Sequence, residues 1–411
     1  MSGYREVVRA KGVVRVISAQ LTARFPGGMT SLAVLLHIEH MTGSYGLAGT
    51  VLAACSIGQA TAGPVTSRWM GRWGMRRVLI VTTTVIALAL AGLTVPGLPF
   101  PAYAALGLLA GLATPPVQSA ARTIYPKLVT ASQLTRLYAL DASLQEIIWI
   151  VAPVLTTFVA TQVSTQFALW MIVAIYAAGG AWFIALPEVG SVRIPPSKHG
   201  LGRVLRKPPV VLATVMGFLV LAAISCLETG VVATFDEGSL EAGLVLAVFA
   251  AGSLSGGLGF GHLPIRPSSM ARRTALMAVG VALTTVSLNV WWLGGSLFIA
   301  GLAVAPLFTL MFAITSVSVK FSESAEAYGW INTGQLGGAA IGSAVAGFLI
   351  DGIGPQAAFA AGLGVTFIAF LASLVFVRQF PDLRGRDASP QPDTGMIQTL
   401  TGTLQLPDAR P

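Results

Sequence analysis

Residues 111–116 read Gly-Leu-Ala-Thr-Pro-Pro and residues 301–306 read Gly-Leu-Ala-Val-Ala-Pro, and each stretch lies inside a long apolar run. The same offset of 190 residues aligns further polar and aromatic positions: Ser132 with Ser322, Tyr138 with Tyr328, and Gln145 with Gln335. At an offset of 197, residues 46–56 align with residues 243–253 without a gap. Matches at Pro, Tyr and Gln are uncommon by chance, so we infer two homologous halves that run in the same direction.

The composition places this chain in lipid rather than in water. Of its 411 residues, 54% are hydrophobic and 10% are charged, whereas an average soluble domain carries about 25% charged residues. Too few charges are present to cover a soluble surface of this size, which excludes a soluble enzyme of one or two domains. Intrinsic disorder is excluded as well, because it requires low hydrophobicity and high net charge.

The chain contains twelve apolar runs of a length that suits a bilayer. A hydrocarbon core about 30 Å thick needs roughly 20 apolar residues per helix. The runs cover residues 13–36, 45–62, 78–95, 102–124, 138–159, 167–186, 210–233, 242–260, 274–291, 294–317, 329–350 and 356–377. We predict an all-α membrane protein with twelve transmembrane helices in two pseudo-symmetric six-helix bundles.

The net charge of +9 follows a pattern along the chain. Every second loop is basic, and the loops between them hold Asp and Glu but no Lys or Arg. By the positive-inside rule, both termini and all basic loops are expected on the cytoplasmic side. The charge therefore reports orientation, and we expect no nucleic-acid partner.

Two segments outside the runs set the domain boundaries. Residues 187–209 form the longest internal loop and divide the chain into an N-terminal bundle, 1–186, and a C-terminal bundle, 210–379. Residues 380–411 are rich in Pro, Asp, Thr and Gln, and we expect a mobile cytoplasmic tail there.

Twelve runs, a parallel six-plus-six repeat, a basic central loop and an arginine-rich loop after the second run resemble the major facilitator superfamily over about residues 5–380. The loop motif of that family reads G-x-x-x-D-R-x-G-R-R. Four residues here fit it and form the expected gating loop: Arg72, Gly74, Arg76 and Arg77. Gly71 stands at the position of the Asp, so the usual carboxylate latch of this loop is missing.

Helix-breaking residues interrupt several runs. Pro26 is followed by Gly27 and Gly28, and three more prolines lie deep within runs: Pro116, Pro153 and Pro306. We expect a break or kink at each of them, with backbone carbonyls exposed to a cavity. The fifth-run motif of proton-driven exporters in the resembled family centres on Gly-Pro, and Ala152-Pro153 matches it only in part.

Arg24 is the deepest base of the first run. It follows Val13 by eleven residues, or roughly 16 Å at 1.5 Å per residue, which is near the midplane. A lone arginine at that depth costs at least about 2.5 kcal/mol, so it requires a partner.

The fifth run supplies candidate partners for Arg24. Glu146 lies at a comparable depth, and we hypothesise that Glu146 pairs with Arg24. Such a pair would either orient two helices as a static contact or open when Glu146 takes up a proton in one transport state. Asp141 is shallower and is expected mainly to cap the run.

Glu228 is the acid of the seventh run and stands without a nearby base. It is either a proton carrier, a contact for a cationic substrate, or a side chain that reaches external water near a helix end. Four further residues are candidates for a substrate cavity: Gln145, Trp149, Asn332 and Gln335. Gln335 could instead bond across helices, and we expect Tyr125 and Trp330 to be interface anchors.

Catalytic and cofactor motifs are missing from the sequence. It contains no phosphate-binding loop, no H-E-x-x-H and no G-x-S-x-G, and Cys55 and Cys226 have no metal-ligand spacing. We therefore expect no enzymatic activity, no cofactor and no metal.

The resemblance implies a monomeric secondary transporter of the bacterial cytoplasmic membrane, which works by alternating access around a midplane cavity. Because the runs are apolar with few charges, the preferred reading is proton-coupled efflux of an amphiphilic small molecule. Uptake of a small metabolite or sugar is one alternative. A non-transporting membrane sensor on the same fold is another.

Overall fold

The computed structural model describes residues 2–197, 200–235, 239–261, 263–384 and 388–393. Its fifteen α-helices are α1 Ser2–Arg9, α2 Val13–Thr42, α3 Tyr45–Trp73, α4 Met75–Leu93, α5 Phe100–Leu112, α6 Val117–Ile124, α7 Ala131–Gln162, α8 Thr165–Ala185, α9 Pro187–Ser191, α10 Pro208–Phe235, α11 Leu240–Phe260, α12 Ser269–Thr284, α13 Val290–Ser318, α14 Phe321–Ile353 and α15 Pro355–Val375. Short 3₁₀ turns cover Tyr125–Lys127, Arg203–Arg206 and Val377–Gln379.

These helices occupy the twelve predicted runs. Among the described residues, nine segments are long and apolar enough to cross a membrane, and α5 with α6 forms one of them. The other three runs correspond to α2 and α3, which are more polar but 30 and 29 residues long, and to α12, with 16 residues. The chain is thus an all-helical, multi-pass integral membrane protein.

Most of the expected helix breaks do not occur. The helices continue through Pro26, Pro153 and Pro306, because neighbouring helices can hold a segment in which proline has removed one hydrogen bond. The fourth run is interrupted where Pro115 and Pro116 separate α5 from α6, and the helix of the ninth run, α12, ends at Thr284, before the predicted end at residue 291. Two adjacent prolines remove two consecutive donors, which ends the helix.

Repeat-related glycines bring helices into backbone contact in each half. A Cβ at Gly111 of α5 would overlap the Cys55 carbonyl oxygen of α3, and a Cβ at Gly301 of α13 would overlap the Phe249 carbonyl oxygen of α11. Without a hydrophobic driving force between helices in lipid, such small residues allow the close packing that holds them together.

The two halves meet around a pseudo-two-fold axis. The hydroxyl oxygens of Tyr138 and Tyr328, which the repeat aligns, lie 2.7 Å apart. Residues related by a two-fold rotation touch each other only near its axis, so the axis passes between these tyrosines. They lie towards the end of the bundle that carries the basic loops, and we call this the basic end.

At the basic end the two halves meet in two helix–helix contacts, which we call seams. In the first seam, α3 meets α14. A Cβ at Gly329 would lie 2.7 Å from the Gly63 carbonyl oxygen, and the Thr333 hydroxyl donates to the Ala60 carbonyl at 2.8 Å. In the second seam α7 meets α11, and Gly257 leaves room for the Ser143 hydroxyl.

Gly243, near the start of α11 at the opposite end, lines the space between the halves and has no neighbouring atom within 4 Å of an added Cβ. This space is therefore closed at the basic end and extends towards the other.

The segment after α15 is packed against the protein where it is described, so the prediction of a mobile tail is wrong for residues 380–384 and 388–393. Phe380 is buried, and Gln391 exchanges backbone hydrogen bonds with Val319 and Phe321. Ser322 donates from its backbone N and its hydroxyl to Asp393. The extended link between α13 and α14 offers free backbone groups, which this segment satisfies. Residues 385–387 and 394–411 of the predicted tail lie outside the described residues.

The glycine contacts predict where added volume disrupts the bundle. Gly111→Val and Gly301→Val should each lower the free energy of unfolding by about 2 kcal/mol or more, because a side chain must displace packed backbone. Gly364→Val on α15 is the matched control, since Gly364 faces open space. Thermal unfolding in detergent, followed by loss of the monodisperse elution peak, would measure this. Equal stability of all three variants would contradict the packing.

Candidate functional site

A cavity of about 430 Å³ lies between the two halves. Its polar wall includes residues from both: Arg24, Gln59, Gln118, Gln145, Glu146, Glu228, Asn332 and Gln335. Apolar and aromatic groups supply the rest, among them Trp149, Phe249 and Phe308. The four residues predicted for a substrate cavity all lie on this wall. Gly27, Gly28, Pro116 and Pro153 line it too, whereas Asp141 lies behind it.

Asp141 is the centre of a buried network behind the cavity wall. Its Oδ1 accepts from Gln20 Nε2 at 2.9 Å and from the Tyr125 hydroxyl at 3.0 Å. Its Oδ2 accepts from Arg122 Nε at 3.1 Å, and Arg24 Nη1 lies 3.7 Å from Oδ1. Asp141 is therefore the carboxylate that faces both buried arginines, Arg24 and Arg122, and the prediction that it caps a helix is wrong.

Arg24 completes the network through amides. Its Nη1 donates to Gln20 Oε1 at 2.9 Å, and its Nη2 donates to Gln145 Oε1 at 2.6 Å. The predicted Arg24–Glu146 pair does not form. Asp141 and Gln145 are four residues apart and share one face of α7, whereas Glu146 is rotated by a further residue and points elsewhere.

Arg122 is the charged residue that the sequence analysis missed. It is 1% exposed, and its guanidinium carbon lies 3.3 Å from the ring centroid of Phe312 on α13. The sequence could have indicated that Arg122 is buried, because it falls inside the predicted run 102–124 and follows Pro116 closely. Tyr125 is likewise fully buried, so the expectation that it is an interface anchor is wrong.

The two carboxylates of the cavity have different surroundings from Asp141. Glu146 is 9% exposed and lies near Ser253 of α11. Glu228 on α10 is exposed to the cavity and close enough to Glu146 to interact electrostatically. Among the described residues, neither forms an ion pair with an arginine or lysine.

The predicted gating loop turns at Gly74, whose φ of +88° favours glycine. Arg76 donates from Nε to the Ile184 carbonyl at 3.1 Å and from Nη2 to the Leu186 carbonyl at 3.3 Å. Arg72 and Arg77 are exposed. The ion pair between the halves is made by Arg68 instead, whose Nη1 lies 2.7 Å from Glu326 Oε2.

A two-fold arrangement of membrane helices around a cavity that is closed at one end is the architecture of a transporter. The sequence profile described as Major Facilitator Superfamily matches residues 16–288 and 230–404. The chain belongs to the major facilitator superfamily. Among curated proteins, none matches this sequence significantly.

Solved structures share the fold at low sequence identity. The human organic anion transporter MFSD10 (TETRAN) is 18% identical, with a TM-score of 0.67, and the match covers 88% of this chain and 98% of that one. A bacterial homologue of the iron transporter ferroportin in an outward-facing state is 14% identical, with a TM-score of 0.71 over 89% and 99%. The proton:xylose symporter XylE is 12% identical, with a TM-score of 0.71 over 92% and 97%.

The network predicts a large cost for neutralising Asp141. Asp141→Asn would leave two buried guanidinium groups without their carboxylate, and we expect a loss of about 3 kcal/mol or more in stability. Asp351→Asn is the control, since Asp351 is exposed at the end of α14. Thermal unfolding of both variants in the same detergent would test this, and an unchanged midpoint for Asp141→Asn would contradict it.

Proposed function

We propose that this protein is a monomeric, proton-coupled exporter of amphiphilic small molecules in a bacterial cytoplasmic membrane. The observation that carries the proposal is the pair Glu146 and Glu228. They come from opposite halves, face one largely apolar cavity, and lack basic partners among the described residues.

The charge balance of the cavity favours a cationic group on the substrate. Arg24 is engaged by Gln20, Gln145 and Asp141, but Asp141 also faces Arg122, so the network keeps one positive charge (two arginines less one carboxylate). Ionised Glu146 and Glu228 outweigh that charge and leave the region with one net negative charge. Aromatic and aliphatic side chains surround them, and a volume of about 430 Å³ suits a drug-sized molecule.

Proton coupling follows if substrate and protons compete for the same carboxyl groups. With the basic loops in the cytoplasm, the described state opens to the outside. Protonation there would neutralise both carboxyls and release a cationic substrate outward. After the halves rock, proton loss to the cytoplasm would restore the charges that bind the next substrate. Each cycle then exchanges protons moving in for a substrate moving out.

The competing reading is uptake of a sugar or small metabolite. Amide groups of Gln59, Gln118, Asn332 and Gln335 line one wall, and amides are suitable partners for hydroxyl groups. Counterflow of a labelled sugar in the same vesicles would support this reading. Counterflow of a lipophilic cation without any effect of sugars would support export.

Proton-driven transport should depend on both cavity carboxyls. In proteoliposomes with an imposed pH gradient, Glu146→Gln and Glu228→Gln should each abolish gradient-driven movement of a lipophilic cationic dye. Substrate counterflow at equal pH should persist in at least one variant, because a neutral amide removes coupling before it removes the cavity.

Glu241→Gln is the matched control, because Glu241 lies in the first turn of α11 and does not line the cavity. If both cavity variants kept a normal response to the pH gradient, the coupling role of these carboxyls would be wrong. If no lipophilic cation or sugar showed counterflow, the non-transporting sensor would be the better reading.

A further inference from the structure

The two seams at the basic end are held together by different contacts. In the α3/α14 seam, Arg68 pairs with Glu326, and Glu326 also accepts from the Gly202 backbone N at 2.7 Å. Charged groups of both halves and the central loop therefore meet at this seam.

In the part of the chain that the structure describes, the α7/α11 seam has no equivalent ion pair. Helix α11 ends at Phe260, which the repeat aligns with Gly63, so the second half has no counterpart of the turns of α3 that carry Arg68. The position equivalent to Glu326 is Arg136, a base in place of an acid. The pseudo-symmetry that builds the bundle is broken here.

The N-terminal helix α1 lies at this second seam. The Tyr4 hydroxyl donates to the Gly257 carbonyl of α11 at 3.1 Å, and Gly257 is the residue against which Ser143 of α7 packs. Val7, one turn further along, is fully buried. A segment of the first half thus reaches the second half at the point where the two come together.

The faces of α1 are consistent with a protein contact. Arg5, Glu6 and Arg9 are exposed, whereas Val7 is enclosed by protein. Burial raises the pKa of Tyr4, and the nearby charge of Arg136 lowers it to a smaller extent. The hydroxyl therefore remains a neutral donor at physiological pH.

We propose that α1 is a releasable clamp. It takes the place of the ion pair that the other seam has, and it holds the α7/α11 seam closed. Tyr4 fastens it to Gly257, and α1 must leave this carbonyl before the basic end can open. Gly12, with a φ of +89°, forms the turn between α1 and α2 about which it would swing. This role of α1 at the basic end does not depend on the identity of the substrate.

The clamp can be tested by measuring the equilibrium between the forms that are closed and open at the basic end. Spin labels at Ser132→Cys and Leu263→Cys, in a Cys55→Ser and Cys226→Ser background, report the separation of the two halves at the basic end. A second pair at Thr161→Cys and Leu240→Cys reports the opposite end. Double electron–electron resonance on the full chain in nanodiscs then gives the populations of the closed and open forms without any substrate.

Loss of the hydroxyl should favour the form that is open at the basic end. Tyr4→Phe should raise the open-to-closed ratio by about two- to tenfold, as expected for one hydrogen bond. Tyr4→Ala should raise it further, because the ring is removed as well. The distances at the opposite end should shorten in the same variants.

Two further variants show whether the effect is specific to Tyr4. Val8→Ala, at an exposed position of the same helix, should leave both distance distributions unchanged. Arg68→Ala releases the other seam, so its effect and that of Tyr4→Ala should multiply in the double variant, as for separate sites.

The proposal is overturned if Tyr4→Ala and Tyr4→Phe give the same distributions as Val8→Ala. It is also overturned if deletion of residues 2–9 increases the closed population. Should the deletion variant fail to fold, Tyr4→Phe decides the question, since it removes a single oxygen atom. A negative outcome here would leave the carboxylate coupling untouched, because that is measured separately by transport.

Discussion

Asp141 lies between Arg122 and Arg24 in the interior of a protein whose surroundings are lipid. A guanidinium group at this depth is tolerated only when protein groups replace water around it. The carboxylate, two glutamine amides and one tyrosine hydroxyl do so here. The network joins α2, α6 and α7 into one unit, and it fixes the face of α7 that turns Glu146 towards the other half.

This constraint separates two kinds of buried charge. Arg24 and Asp141 have their partners within the first half, and these contacts hold its helices together. Glu146 and Glu228 face the cavity and come from different halves, so their environment changes when the halves move. Charges of the second kind are suited to binding and coupling, because only they experience the difference between the two states.

Pseudo-symmetry accounts for the shape of the cavity and also shows where the two halves differ. Tyr138 and Tyr328 meet on the axis, and both seams close the same end of the molecule. One seam carries an ion pair, whereas the other has none among the residues described and receives the N-terminal helix. A duplicated architecture therefore does not require duplicated contacts, as long as each seam is stable in one state and separable in the other.

The sequence by itself determined the all-helical membrane class and the family, and it predicted twelve runs in two homologous halves, because hydrophobic run length and the repeat are properties of the chain. It also indicated four residues that line the cavity, Gln145, Trp149, Asn332 and Gln335, but it missed Gln59 and Gln118. It did not identify the partner of Arg24, the burial of Arg122 and Tyr125, or the docking of residues 388–393. Those depend on the rotation of α7 and on contacts between distant segments. A change of one residue along a helix turns a side chain by about 100°, so depth alone could not distinguish Asp141 from Glu146, and only the packed structure decided which carboxylate faces the arginines and which faces the cavity.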